Sequence, residues 1–156
     1  MRNDLISSCQ SLYGSNLVSL AIFGSWARET ATPVSDVDLL VVSEFLPSGR
    51  LKRMSQFQVV EEETLSVRQS MWEQDVPASQ LSPVIKTPDE VRAGSPLFLD
   101  MTDWCDILWD RDGFLAGYLD DLRARMKRFG SRRRQAKGGY YWEYKPGMSA
   151  SEVVEL

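Results

Sequence analysis

Val18-Ser-Leu-Ala-Ile-Phe-Gly-Ser-Trp-Ala-Arg-Glu-Thr-Ala-Thr-Pro-Val-Ser-Asp-Val-Asp-Leu-Leu-Val-Val42 is the stretch on which the fold turns. An apolar run from Leu17 to Phe23 stops at Gly24, and a second runs from Val37 to Val42. This is the pattern of two neighbouring buried strands joined by a tight crossover. Ten residues separate Gly24-Ser25 from Asp36-Val37-Asp38, which opens the second strand. Side chains two apart in a strand point the same way, so both carboxylates face one side of the sheet, close enough to share a divalent cation. Two hard oxygen donors suit Mg2+. Gly24 lets backbone approach a phosphate closely, and Ser25 adds a hydroxyl and an N–H at the start of a short helix, where anions are favoured.

The run Gly24-Ser25-Trp26-Ala27-Arg28 through Thr32-Pro33-Val34-Ser35-Asp36-Val37-Asp38-Leu39 resembles the signature of the minimal nucleotidyltransferases, small members of the DNA polymerase β-like superfamily. A looser likeness extends through Leu81-Ser82-Pro83-Val84 and Gly138-Gly139-Tyr140-Tyr141-Trp142. The resemblance implies an α/β (α+β) nucleotidyltransferase fold, a small mixed sheet with helices packed mainly on one face. Length and composition add a single domain over residues 1–156 with a basic and aromatic C-terminal segment, 123–156. The implied activity is transfer of AMP from MgATP, with Asp36 and Asp38 as catalytic metal ligands for two ions and Gly24, Ser25 and Arg28 on the phosphates. Such proteins are commonly antitoxins of helical HEPN-domain toxins, so the implied acceptor is a hydroxyl, typically a tyrosine, on that partner.

Polymerase β-like enzymes also use a third carboxylate from a later strand, and here the sequence departs from them. The expected strand, Gln80-Leu-Ser-Pro-Val-Ile-Lys86, contains no acid. Gln80 stands where the acid is expected, but an amide neither carries the charge nor takes up a proton at neutral pH. Asp75 and Asp89 flank the strand, with Asp75 the stronger candidate ligand. The other departure is Glu29, where relatives often have glycine; its carboxylate repels phosphate unless it points away or pairs with Arg28.

Composition sets outer limits. A chain of 156 residues, 43% hydrophobic, can bury one core. No apolar run nears the roughly 20 residues of a membrane span, and the N-terminus does not read as a signal peptide, so a cytoplasmic protein is expected. Two cysteines and no histidine argue against a disulfide framework, a zinc site and any histidine base. The net charge of −4 hides a division: residues 1–122 hold nine Lys/Arg and nineteen Asp/Glu, whereas 123–156 hold nine and three. Eight of the latter cations lie between Arg123 and Lys137, just before Tyr140, Tyr141, Trp142 and Tyr144. Such a segment suits RNA, the phosphates and base of a nucleotide, or an acidic protein surface. It equally suits a helix end whose cations complement the dipole, leading into an aromatic strand packed on the core.

Along the rest of the chain, Leu5, Cys9 and Leu12 mark a short helix ending near Gly14. Leu51, Met54, Phe57, Val60 and Leu65 suggest a helix reaching about Trp72, and a third strand covers 80–86. Thr87-Pro88-Asp89-Glu90 is a capping box with proline in the first helical position. Ile107-Leu108-Trp109 reads as an edge strand, and Asp112 as the cap of a last long helix whose stripe from Phe114 to Phe129 is core, stopped by Gly130. Gly147–Leu156 reads as a frayed end or a final strand.

Three functions are consistent with these residues: an active transferase modifying a protein partner, a catalytically weak relative that neutralises a toxin by binding, and an RNA-directed transferase guided by the basic segment. Self-modification at Tyr140, Tyr141 or Tyr144 is a further variant of the first.

Overall fold

The computed structural model describes residues 1–74 and 80–147, without the side chain of Trp72. Helix α1 (Arg2–Tyr13) leads into β1 (Leu17–Phe23), a single helical turn α2 (Gly24–Ala27) and β2 (Val37–Ser43). Next come the long helix α3 (Arg50–Glu73), β3 (Leu81–Lys86), α4 (Pro88–Arg92) and α5 (Leu97–Met101). The chain continues through β4 (Asp106–Asp110), α6 (Phe114–Phe129), β5 (Arg132–Ala136) and β6 (Gly139–Glu143).

Four strands form a mixed sheet in the order β3-β2-β1-β4, and β5 pairs with β6 in a separate hairpin. β2 runs parallel to β3, whereas β1 is antiparallel to both β2 and β4. The expected crossover between the first two strands is therefore a reversal. Phe23 lies opposite Asp38, so the connecting loop returns the chain beside the strand it has just left. β4 is the edge strand expected from its short apolar sequence.

The mixed sheet agrees with the expected fold class, but the helices cover both faces rather than mainly one. All seven residues of β1 are buried, which an open face does not permit. Val37, Leu39 and Val41 pack with Leu5, Cys9 and Phe57 from α1 and α3. Leu40 and Val42, pointing the other way, pack with Val91, Phe98, Leu115 and Leu119 from α4, α5 and α6.

The α3 stripe also differs from the expected one. Phe57, Val60, Thr64 and Arg68 are buried, while Leu51 is 85% and Leu65 is 45% exposed. At 100° per residue Leu65 and Leu51 lie about 80° and 120° around the helix from Phe57, outside the arc that meets the sheet. Arg68 takes a buried place because its Nη2 donates to the carbonyl of Glu61 at 2.9 Å and its Nε meets Thr64 Oγ1 at 3.4 Å.

The capping box forms as expected. Glu90 N donates to Thr87 Oγ1 and Thr87 N to Glu90 Oε2. The α6 cap differs: Asp110, not Asp112, accepts the N–H groups of Leu115 and Ala116 at 2.9 and 3.0 Å. Asp112 adopts φ 55° in the turn between them. The α6 stripe of Leu115, Leu119, Leu122 and Met126 is core, and Gly130 closes the helix in the left-handed conformation. Residues 148–156 lie outside the described part, so the reading of the chain's end is not addressed by the fold.

Candidate nucleotide site

The loop between β1 and β2 brings the two halves of the motif together. Thr30 N bonds the carbonyl of Ser25 at 2.9 Å, closing the loop over α2. Ser35 N bonds the carbonyl of Thr32 at 2.8 Å and Ser35 Oγ accepts from Thr32 N at 2.9 Å, forming the tight turn that delivers Asp36 to the head of β2. Gly24 has φ +68°, a conformation that side chains rarely adopt. A Cβ built on it falls 2.0 Å from Asp38 Oδ2. The phosphate loop and the acidic strand therefore abut, and a side chain at position 24 would have to displace the Asp38 carboxylate.

Strand alternation puts Asp38 on the face of the sheet that carries Leu40 and Val42, the α5 and α6 side, and Asp36 immediately precedes the strand. Asp36 is exposed and Asp38 half-buried. Burial pushes the Asp38 carboxyl above the ordinary carboxylate value, and the neighbouring Asp36 adds to the rise. A hydrogen bond from Ser82 and the positive field of Arg28 pull the other way.

Ser82 is the residue that reasoning from the sequence missed. It lies directly opposite Asp38 in the parallel β2–β3 register. Gln80, the expected substitute for the third acid, is exposed ahead of the strand, where its carbonyl accepts from Val37 N at 2.8 Å. Asp75 lies outside the described residues. Asp89 sits past the far end of β3, 93% exposed and paired with Arg92, while Asp38 lies beside the opposite end. Among the described residues no group of three or more acidic, Cys or His side chains forms a metal-binding cluster. The two aspartates nonetheless suit Mg2+, which is commonly held by one or two carboxylates with phosphate oxygens completing its shell.

Glu29 is exposed with φ 58°, the left-handed conformation that explains why glycine is expected there, and it forms no ion pair with Arg28. Arg28 instead reaches towards the C-terminal hairpin, its Nη1 lying 3.5 Å from the Tyr140 hydroxyl. Trp26 packs against the α1–α3 core cluster, as expected of it.

The nucleotidyltransferase domain profile matches residues 2–86, from α1 to the end of β3. A Methanocaldococcus jannaschii protein named as a protein adenylyltransferase is 30% identical over 128 residues, 81% of either chain. The chain belongs to the nucleotidyltransferase domain family. Its fold is also that of a chain in a toxin–antitoxin complex crystallised with AMP-PNP, at TM-score 0.50 and 14% identity, over 83% of this chain and 92% of that one. A chain of the Shewanella oneidensis complex between a tri-AMPylated HEPN toxin and its MNT antitoxin aligns at TM-score 0.44 and 12% identity, over 83% and 93%.

Proposed function

We propose that this chain is an antitoxin-type adenylyltransferase that transfers AMP from ATP to a hydroxyl, typically a tyrosine, of a HEPN-domain partner. The observation that carries this reading is the abutment of Gly24 on Asp38, which joins a phosphate-binding loop to a pair of carboxylates. The adenylyltransferase name of the archaeal relative and the nucleotide-bearing toxin–antitoxin complex support it. In this reading residues 1–156 act as one unit in the cytoplasm.

Asp36 and Asp38 would hold the magnesium that accompanies the triphosphate, two ions being the family expectation. When bound, the metal would neutralise charge on the phosphates. Gly24 and Ser25 present backbone N–H groups and a hydroxyl to the triphosphate, and Arg28 offsets its charge. The partner's hydroxyl oxygen bonds to the α-phosphorus as the bond to pyrophosphate breaks. β3 supplies no carboxylate to take up the hydroxyl proton.

The test is incubation of a HEPN-domain protein from the same genome with this chain, ATP and Mg2+, followed by peptide mass spectrometry. An adenylylated residue on the partner, absent with Asp36→Asn, is the expected result. An unmodified partner contradicts the reading.

Ser82 in place of a carboxylate opposite Asp38 favours a second reading, neutralisation by binding alone. That reading predicts that Asp36→Asn and Asp38→Asn leave toxin neutralisation intact. RNA-directed transfer has less support, because Arg132 and Arg134 are both engaged by Glu143.

A further inference from the structure

Two arginines from opposite ends of the chain converge on one indole. The guanidinium carbon of Arg28 is 5.8 Å from the Trp104 ring centre, and that of Arg133 is 4.1 Å from it. Arg133 also lies 4.9 Å from the Tyr140 ring. Stacking on aromatic faces holds the two cations side by side through the negative face of the ring.

The nearby acids approach this pair without a close ion pair. Asp100 accepts from the Tyr140 hydroxyl at 2.8 Å and from Trp142 Nε1 at 2.7 Å, fastening the hairpin against α5. Asp103 is 4.0 Å from Arg133, at the limit of an ion pair. Arg28 bonds the Tyr140 hydroxyl rather than a carboxylate, while its charge acts on Asp38. Strand alternation accounts for the difference from the flanking arginines: Arg132 and Arg134 turn to one side, where Glu143 meets both, and Arg133 turns to the other. Two guanidinium groups beside the phosphate loop, neither held in a close ion pair among the described residues, form a place for a polyanion.

We propose that Arg133 is a second triphosphate-binding cation, acting with Arg28, and that Tyr140 and Trp104 position the two guanidinium groups. The proposal rests on the nucleotide-site reading above and extends it to a hairpin outside the segment matched by the family profile. Guanidinium forks suit phosphate oxygens because their donors lie in one plane and can bind in pairs. The pyrophosphate end of ATP is the matching ligand, since charge concentrates there as it departs.

The test is calorimetric titration of the full chain with inorganic tripolyphosphate in the absence of metal, and separately with ATP and Mg2+. Arg133→Gln is expected to weaken both by about tenfold or more, the usual effect of losing a charged hydrogen bond. Arg133→Lys loses less, and Lys137→Gln, at an exposed turn residue, stays within about twofold of the parent. Tyr140→Phe lowers ATP affinity in the parent chain but not in an Arg28→Gln background, as a positioning role requires. Tripolyphosphate binding that is absent in the parent, unchanged by Arg133→Gln or equally weakened by Lys137→Gln overturns the proposal. Tripolyphosphate binding through Arg133 without AMP transfer overturns the transferase reading and leaves this anion site standing. ATP binding that depends on Asp36 but not on Arg133 does the reverse.

Discussion

Gly24 is where the local backbone and the candidate chemistry constrain each other most tightly. Its positive φ ends β1 and turns the chain into α2, while its missing side chain leaves space for the Asp38 carboxylate. Gly24→Ala is therefore expected to cost about 1–2 kcal/mol in urea denaturation from left-handed strain alone, and to displace Asp38 and abolish MgATP binding. A variant of parent stability and affinity would contradict both parts. The Gly-Ser and Asp-x-Asp residues were legible in the sequence because their spacing and the flanking apolar runs are local. Ser82 was not, since its place opposite Asp38 depends on the register of a strand that follows a 24-residue helix.

Among the elements, the caps separate what is local from what is not. The Thr87–Glu90 box was readable because all its partners lie within four residues. Asp112 was expected to cap α6 by its position before the apolar stripe, yet Asp110 does so while also accepting from Ser19 Oγ at 2.7 Å. That bond spans 91 residues and ties the cap to the central strand. Asp110→Ala should destabilise the fold by about 1–2 kcal/mol, whereas Asp112→Asn, with φ 55° suited to asparagine, should stay within about 0.5 kcal/mol. Chemical denaturation of the two variants checks the contrast.

Glu90 has a second role, joining α4 to α3. Arg53 donates to both of its oxygens, at 2.7 and 3.0 Å, and to the carbonyls of Ile85 and Pro47. These hydrogen bonds hold the Glu90 carboxyl below its ordinary value of 4.5. A lowered folded-state pKa contributes stability above the unfolded value and loses it as pH falls through the folded value. Glu90→Gln keeps a cap acceptor but loses the charge, so it should cost about 1 kcal/mol near pH 7, a figure discounted for partial exposure. The gap between parent and variant melting temperatures should close as pH falls below about 4; a gap that persists there would contradict the assignment.

At the scale of the whole molecule, the sheet is enclosed on both faces and the candidate site opens at the end where β1 hands over to β2. The strands β1 to β3 were legible as apolar runs and α3 as a helix, but Leu51 and Leu65 of its expected stripe are exposed. The closure of the second face was less so, because α4 and α5 are only five residues each and gain their places from packing. The C-terminal segment was legible as basic and aromatic but not as a hairpin. Its docking rests on Asp100, some 40 residues earlier in the chain. No helix among the described residues is long and apolar enough to cross a membrane.

The central claim is that Asp36, Asp38 and the Gly24-Ser25 loop together bind a nucleotide with its metal. Calorimetric titration with ATP, with and without Mg2+, on the parent chain and on the Asp36→Asn, Asp38→Asn double variant tests it without knowledge of the acceptor. The account predicts binding that requires Mg2+ and is lost in the double variant. No binding by the parent, or equal binding by the double variant, would contradict it.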